Sequence, residues 1–301
     1  MRRVTLVAGL AIGAASLGGC ASLIGASFDD ATLGDGGLDG EAGSLFPDVI
    51  LSPSDAADAD ASAPDAGDAY VDPSTLGAVS LWLSSDNGVT ANDAGVISAW
   101  APRNGGPPLK AFALFSPLEP ATVVPAAQNG LPLVKFVRAK GQYFFSTLTG
   151  PKGKELSIFV VGKGDPMALL TWGSSFSASD ALFPWGTAKT SMGLYMYGEW
   201  FAQSASSDTR FSVWEVVYRT STLQGASFFF NGVAGDTVTT RLTDLPEVPL
   251  VVGGATFGGN PAYFTDGLIG EVLVYSEALT PAKRRRLEAH LAQRWGFLLG
   301  P

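Results

Sequence analysis

The chain has 301 residues, with 28 acidic against 19 basic side chains, one cysteine, one histidine and a net charge of −9. A single cysteine and a single histidine exclude an internal disulfide framework and a His/Cys zinc cluster. The shortage of basic residues excludes the electrostatic footprint of a nucleic-acid binder.

Arg2 and Arg3 are followed by an apolar stretch over residues 4–17. About 14 residues are too few to span a bilayer, so this stretch reads as the hydrophobic region of a signal peptide. Leu17-Gly18-Gly19-Cys20 resembles the bacterial lipobox, in which small residues admit a peptidase and the thiol receives diacylglycerol. The resemblance implies removal of residues 1–19 and lipidation of Cys20. A diacyl thioether with an N-terminal acyl chain exceeds the two signals that stable anchoring needs, at ~0.8 kcal/mol per buried methylene. An ordinary secretory signal with an incidental cysteine is the alternative. Arg2-Arg3 also resembles a twin-arginine signal, but the polar context before it is missing. Ala21 stands where inner-membrane lipoproteins carry aspartate, so the lipobox resemblance implies an outer-membrane or cell-surface location, with the membrane as partner through the anchor.

Residues 21–102 contain neither lysine nor arginine, and residues 29–72 hold twelve acidic side chains among Ala, Gly, Ser and Pro. Such sequence offers too little apolar surface to offset the entropy of ordering it, so residues 20–75 read as a lipidated, acidic, disordered tether. As a flexible coil of about 55 residues it would reach roughly 40 Å. Its aspartates lack the glycine turn and bidentate carboxylate spacing of a calcium loop. The remaining residues, 76–301, hold 17 basic and 16 acidic side chains, so the low pI belongs to the tether.

Within 76–301, short β-like runs alternate with Gly, Pro, Asn and Asp. Candidate strands cover 79–83, 96–100, 133–137, 143–146, 156–161, 168–172, 193–197, 211–218, 227–231, 237–240, 249–253 and 268–275. Many short strands with regular turn signals predict a sandwich or barrel. Residues 156–161 are apolar on both faces, as a central strand would be, and Asn231-Gly232 marks a hairpin turn. One helix is expected near the C-terminus: Thr280 can cap it, Pro281 suits its first position, Leu287, Leu291 and Trp295 recur at helical spacing, and Gly296 stops it. Lys283-Arg284-Arg285-Arg286 on that helix reads as a solvated face partly paired through Glu288, or else as a patch for anionic headgroups or polysaccharide.

The segment Gly267-Leu-Ile-Gly-Glu-Val-Leu-Val-Tyr-Ser-Glu-Ala-Leu-Thr280, with a helix ending Gln293-Arg294-Trp295-Gly296, resembles the closing part of concanavalin A-like (laminin G-like) jelly-roll domains. Leu81-Trp82-Leu83, the runs at 95–100, 130–136 and 156–162, and Phe229-Phe-Asn-Gly232 extend the resemblance over about 76–297. It implies an all-β jelly-roll sandwich with one short C-terminal helix, and Glu271 takes a position the resemblance marks as structural.

Some members of that superfamily are laminarinase-type glycoside hydrolases, which set carboxylates as Glu-x-Asp-x-x-Glu along one strand so that they reach one cleft. This chain has no such run: Glu271 and Glu277 are six apart with no acid between them, and Glu215 stands alone. His290 lies in the helix, and no Gly-x-Ser-x-Gly or reactive thiol supplies a nucleophile, so no catalytic residue is assigned. Residues 172–201 instead concentrate Trp172, Phe183, Trp185, Tyr195, Tyr197, Trp200 and Phe201. Aromatic faces stack on sugar rings, and they also dominate β-sandwich cores. Both readings stand, and Trp185, Tyr195, Tyr197 and Trp200 are the candidate ligand-binding residues. The resemblance also allows a rim calcium ion, with Asp180 and Asp266 as candidate ligands; no other cofactor is implied. The expected function is non-catalytic binding of a polysaccharide or cell-surface glycan, as in adhesion. The alternatives are a module that binds a surface protein or supports the envelope and, last, a diverged hydrolase.

Overall fold

The computed structural model describes residues 71–114, 117–149, 155–165, 169–172, 181–185, 192–196, 199–203, 210–219, 225–238, 249–254 and 264–300. Cys20, the signal segment and the tether up to residue 70 lie outside this set, as do Asp180 and Tyr197.

Seventeen strands follow in chain order: β1 (Val79–Ser84), β2 (Val89–Ala91), β3 (Ile97–Trp100), β4 (Leu109–Ala113), β5 (Thr122–Gln128), β6 (Leu131–Phe136), β7 (Gln142–Thr149), β8 (Glu155–Asp165) and β9 (Leu170–Trp172). They continue with β10 (Ala181–Trp185), β11 (Met192–Met196), β12 (Glu199–Gln203), β13 (Ser212–Arg219), β14 (Ala226–Phe230), β15 (Val233–Val238), β16 (Pro249–Val252) and β17 (Asp266–Tyr275). One helix, α1 (Pro281–Trp295), closes the chain.

The strands form two antiparallel sheets, the jelly-roll sandwich with a C-terminal helix that the sequence predicts. The first runs β15-β14-β13-β8-β17-β6-β5, with β1 also paired to β17; the second runs β12-β11-β10-β9-β16-β7-β4-β3-β2. Between them lies a core of Leu81, Leu83, Val134, Phe136, Ile158, Val160, Trp214, Val216, Val272 and Val274 from the first sheet. Trp100, Leu109, Phe144, Leu170, Leu250 and Val252 meet them from the second.

A second apolar cluster lies on the outer face of the first sheet. There Trp82, Leu133, Phe159, Val161, Val213, Leu273 and Tyr275 pack against Leu287, Leu291 and Trp295 of α1. The first sheet is therefore buried on both faces, which explains why residues 156–161 carry no polar alternation. The helix begins and ends as its sequence signals: Thr280 Oγ1 accepts from the Lys283 amide at 3.4 Å, and Gly296 adopts the left-handed conformation at φ 64°. Asn231 and Gly232, at φ 50° and 80°, turn β14 into β15.

Three expectations change. The tether boundary at residue 75 falls inside the folded unit: Val71 and Leu76 are buried in the second cluster, and the Tyr275 hydroxyl donates to the Pro73 carbonyl at 3.0 Å. Arg284 of the basic run is not solvated but buried. Five strands absent from the candidate list are present as well: β2, β4, β5, β10 and β12. β5 contains Pro125, which cannot donate to a ladder, and β5 is the terminal strand of its sheet, where a missing donor is tolerated.

Candidate functional site

The two outer faces of the sandwich are built differently. That of the first sheet is sealed by α1, and its polar groups are spent on holding the helix. On β17, residues 272 and 274 enter the inter-sheet core, so 271 and 273 face the helix. Glu271 is fully buried, and its carboxylate accepts from two indoles, Trp82 Nε1 at 2.6 Å and Trp295 Nε1 at 2.7 Å. Arg294 Nε lies 3.3 Å from the same carboxylate, and its Nη2 donates to Asp86 at 2.6 Å. Burial lifts the Glu271 carboxyl above its ordinary range, against the opposing pull of Arg294 and the two indoles.

A second buried node joins β13 to α1. Glu215 is fully buried; Arg284 is ion-paired to Glu288, and its guanidinium lies 3.6 Å over the Phe229 ring. Arg284 Nη1 comes within 3.5 Å of Glu215 Oε2, and by geometry neither oxygen of Glu215 has a hydrogen bond among the described residues. Burial, and then the neighbouring Glu288 carboxylate, hold Glu215 well above the usual carboxyl range, with Arg284 pulling the other way. His290, also buried, is lowered to about 4, first by burial and then by Arg294. These side chains do not reach solvent.

No helix covers the outer face of the second sheet among the described residues. Its strands are in continuous register: Thr90, Ala99, Lys110, Phe145, Val251, Thr171, Leu182, Tyr195 and Trp200 pair successively across all nine strands. Residues directly opposite one another share a sheet face. The neighbouring row, Ala111-Phe144-Val252-Leu170, belongs to the core, so the row through Lys110 lies on the outer face. Its middle is closed, because Val251 and Thr171 are buried.

The β4–β7 flank is open. Phe112 stands two residues beyond Lys110, directly opposite Tyr143, and the two rings stack with centroids 5.4 Å apart and planes 19° apart. Phe112 is 41% exposed and Leu114 equally so. Lys110 is exposed, and no ion pair reaches it among the described residues. At the end of this flank Lys140 is paired with Glu119. The result is a half-open aromatic pair with one uncompensated cation alongside.

The candidate ligand residues from the sequence fall at the other end of the same sheet. Tyr195 pairs with Trp200 across β11 and β12, while Trp185 pairs with Gly193 beyond a register shift. Tyr197 lies outside the described residues. The backbone thus gathers Trp185, Tyr195 and Trp200 on three neighbouring strands and leaves Phe112 and Tyr143 on the opposite flank. Sequence reasoning missed Lys110 and Phe112, whose available signal was the alternation Lys110-Ala-Phe112-Ala-Leu114 after Pro107-Pro108.

Asp266 is exposed at the start of β17, opposite Asp165 in register. The Asp165 carboxylate accepts from Arg138 Nη2 at 2.5 Å, and Arg138 Nε donates to the Phe264 carbonyl at 2.8 Å. Arg138 thus engages one carboxylate oxygen of the residue opposite Asp266, while Asp180, the other candidate ligand, lies outside the described residues. Among the described residues no three His, Cys, Asp or Glu side chains form a metal-holding group.

No family model matches the chain, and no curated protein does. Solved structures with similar folds include domain 4 of AbnA, a GH43 extracellular arabinanase from Geobacillus stearothermophilus, in complex with arabinotriose. It is 14% identical, with a TM-score of 0.50 over 70% of this chain and 98% of that one. An arabinofuranosidase complexed with arabinofuranosyl-alpha-1,2-xylobiose is 11% identical, with a TM-score of 0.49 over 74% of this chain and 60% of that one. The CBM40 of Ruminococcus gnavus IT-sialidase, bound to alpha2,3 sialyllactose, gives 16%, 0.39, 45% and 82% for the same quantities. At these identities the likeness is one of fold, and the arabinanase domain carries it.

Proposed function

We propose that this chain is a lipid-anchored, non-catalytic glycan-binding module, held to the outer membrane or cell surface through Cys20, that uses the outer face of its second sheet. The observation that carries the reading is the stacked Phe112–Tyr143 pair, half-open on a sheet face that no described helix covers. A flat apolar ring pair on a rigid β4–β7 ladder suits the C–H face of a sugar, because no loop has to be ordered on binding. Two further facts support it. The similar arabinanase domain was solved with arabinotriose. Glu215 and Glu271, two of the three acids weighed as catalytic in the sequence, are fully buried beneath the helix.

The test is retention of the full-length protein on insoluble or immobilised polysaccharides. Phe112→Ala and Tyr143→Ala should each weaken retention about tenfold, since losing an aromatic contact worth ~1.4 kcal/mol is one decade in affinity. Trp200→Ala and Tyr195→Phe report on the β11–β12 flank in the same assay. Wild-type retention in both Phe112→Ala and Tyr143→Ala refutes the assigned site, and sugar release from any of these polymers refutes the non-catalytic part.

A further inference from the structure

The outer-face row that crosses all nine strands contains a single charge, and it is a cation, Lys110. Resting on the glycan-binding reading above, we propose that the ligand is an acidic polysaccharide, a polymer of uronic acid or a comparable carboxylated sugar, whose carboxylate pairs with Lys110 while its ring lies on Phe112 and Tyr143.

Three observations place the charge beside the platform. Lys110 and Phe112 are two residues apart on β4, so their Cα atoms are separated by roughly 6.8 Å along one face. A carboxylate on the edge of a sugar ring lies closer to the ring centre than that, and the flexible lysine stem can bend along the strand to cover the difference. Lys110 is exposed without an ion pair among the described residues, whereas Lys140 at the far end of the flank is neutralised by Glu119. The residues opposite Lys110 are Ala99 and Phe145, neither of which offers it an acceptor side chain. A neutral sugar would leave this cation unused; a uronate completes it.

The overall charge of the protein sharpens the point. With 17 basic against 16 acidic side chains in residues 76–301 and twelve acids in residues 29–72, the protein offers a polyanion no bulk attraction, and its retention would point to a local site. An exposed ion pair is a small effect, however, and strongly screened by salt.

The experiment measures binding of the full-length protein, in detergent, to polygalacturonate and to alginate, with arabinan and dextran as neutral polymers, for wild type, K110A, K110R and F112A. The tether is identical in all four, so ratios between variants cancel its repulsion. The expected result is a preference of wild type for the acidic polymers. K110A should lose about threefold to fivefold on those polymers alone, K110R should restore it, and F112A should weaken binding to every polymer about tenfold. The K110A effect should also shrink in 1 M salt, where the Debye length is about 3 Å. Equal binding of acidic and neutral polymers, or an unchanged K110A beside a defective F112A, overturns the acidic ligand while sparing the platform. Binding to none of the four polymers by wild type overturns both.

Discussion

Replacing Glu271 with glutamine tests whether the C-terminal helix is pinned to the sheet by one buried carboxylate. The carboxylate accepts two indole protons, at 2.6 and 2.7 Å, from residues that chain order places far apart, Trp82 on β1 and Trp295 at the end of α1. Glutamine keeps one acceptor oxygen, but its amide points a donor at the other indole. One charge-assisted bond, worth ~1.5–3 kcal/mol, is lost, and a buried N–H is left unsatisfied at a further ~1–3 kcal/mol. The expected cost is therefore about 3–5 kcal/mol. For a domain of this size each kcal/mol moves Tm by about 2–4 °C, so differential scanning calorimetry should show a fall on the order of 10 °C. Trp82→Phe removes one donor and should cost less. The double variant Trp82→Phe/Glu271→Gln should recover part of the sum, because the glutamine amide no longer opposes an indole. A Glu271→Gln shift below about 2 °C, or strict additivity in the double variant, refutes the pin.

The glycan-retention and Lys110 experiments above stand beside two further expectations. Glu215 is held well above the usual carboxyl range in the folded state, so between its unfolded and folded values folding takes up a proton that the unfolded chain has released. Its contribution is present below its ordinary value of 4.5 and is lost as pH rises toward the folded value. Glu215→Gln should therefore lie closest to wild type in Tm at acid pH and gain on it as pH rises above 4.5; parallel Tm–pH curves would show that the carboxyl is not perturbed. Growth with an alkyne-tagged fatty acid should label the wild-type protein and leave Cys20→Ser unlabelled and released from membranes, and label on the serine variant would rule out Cys20 as the lipidation site.

What the sequence disclosed was mostly what is local. The helix was legible from Thr280-Pro281 to Gly296 because caps and the 3.6-residue period are written within fifteen residues. The Asn231-Gly232 turn was legible for the same reason. β4 was not: Leu-Lys-Ala-Phe-Ala has no β-branched residue, and its strand character comes from pairing with β7 some thirty residues later. β5 and β10 each contain a proline that argues against a strand until edge position or register is known. The site shares this limitation. Phe112 becomes a platform only because Tyr143 stands opposite it, and Arg284 left its solvated run because Glu215 and Phe229 lie on strands that no spacing rule connects to it.

The distribution of charge between the two outer faces is why the binding proposed above is assigned to one of them. Glu215 and Glu271 of the first sheet and Arg284, Glu288 and His290 of α1 are all buried on that side, at the expense of desolvation. Once that face is closed, the second sheet must do without them, and its nine-strand row retains one cation among neutral side chains. That row carries no acid, and in the proposed complex the aromatic contact would be independent of salt while the single ionic contact would not. Raising salt should therefore erase the preference among ligands before it erases binding, a separation that a platform built from charge alone would not give.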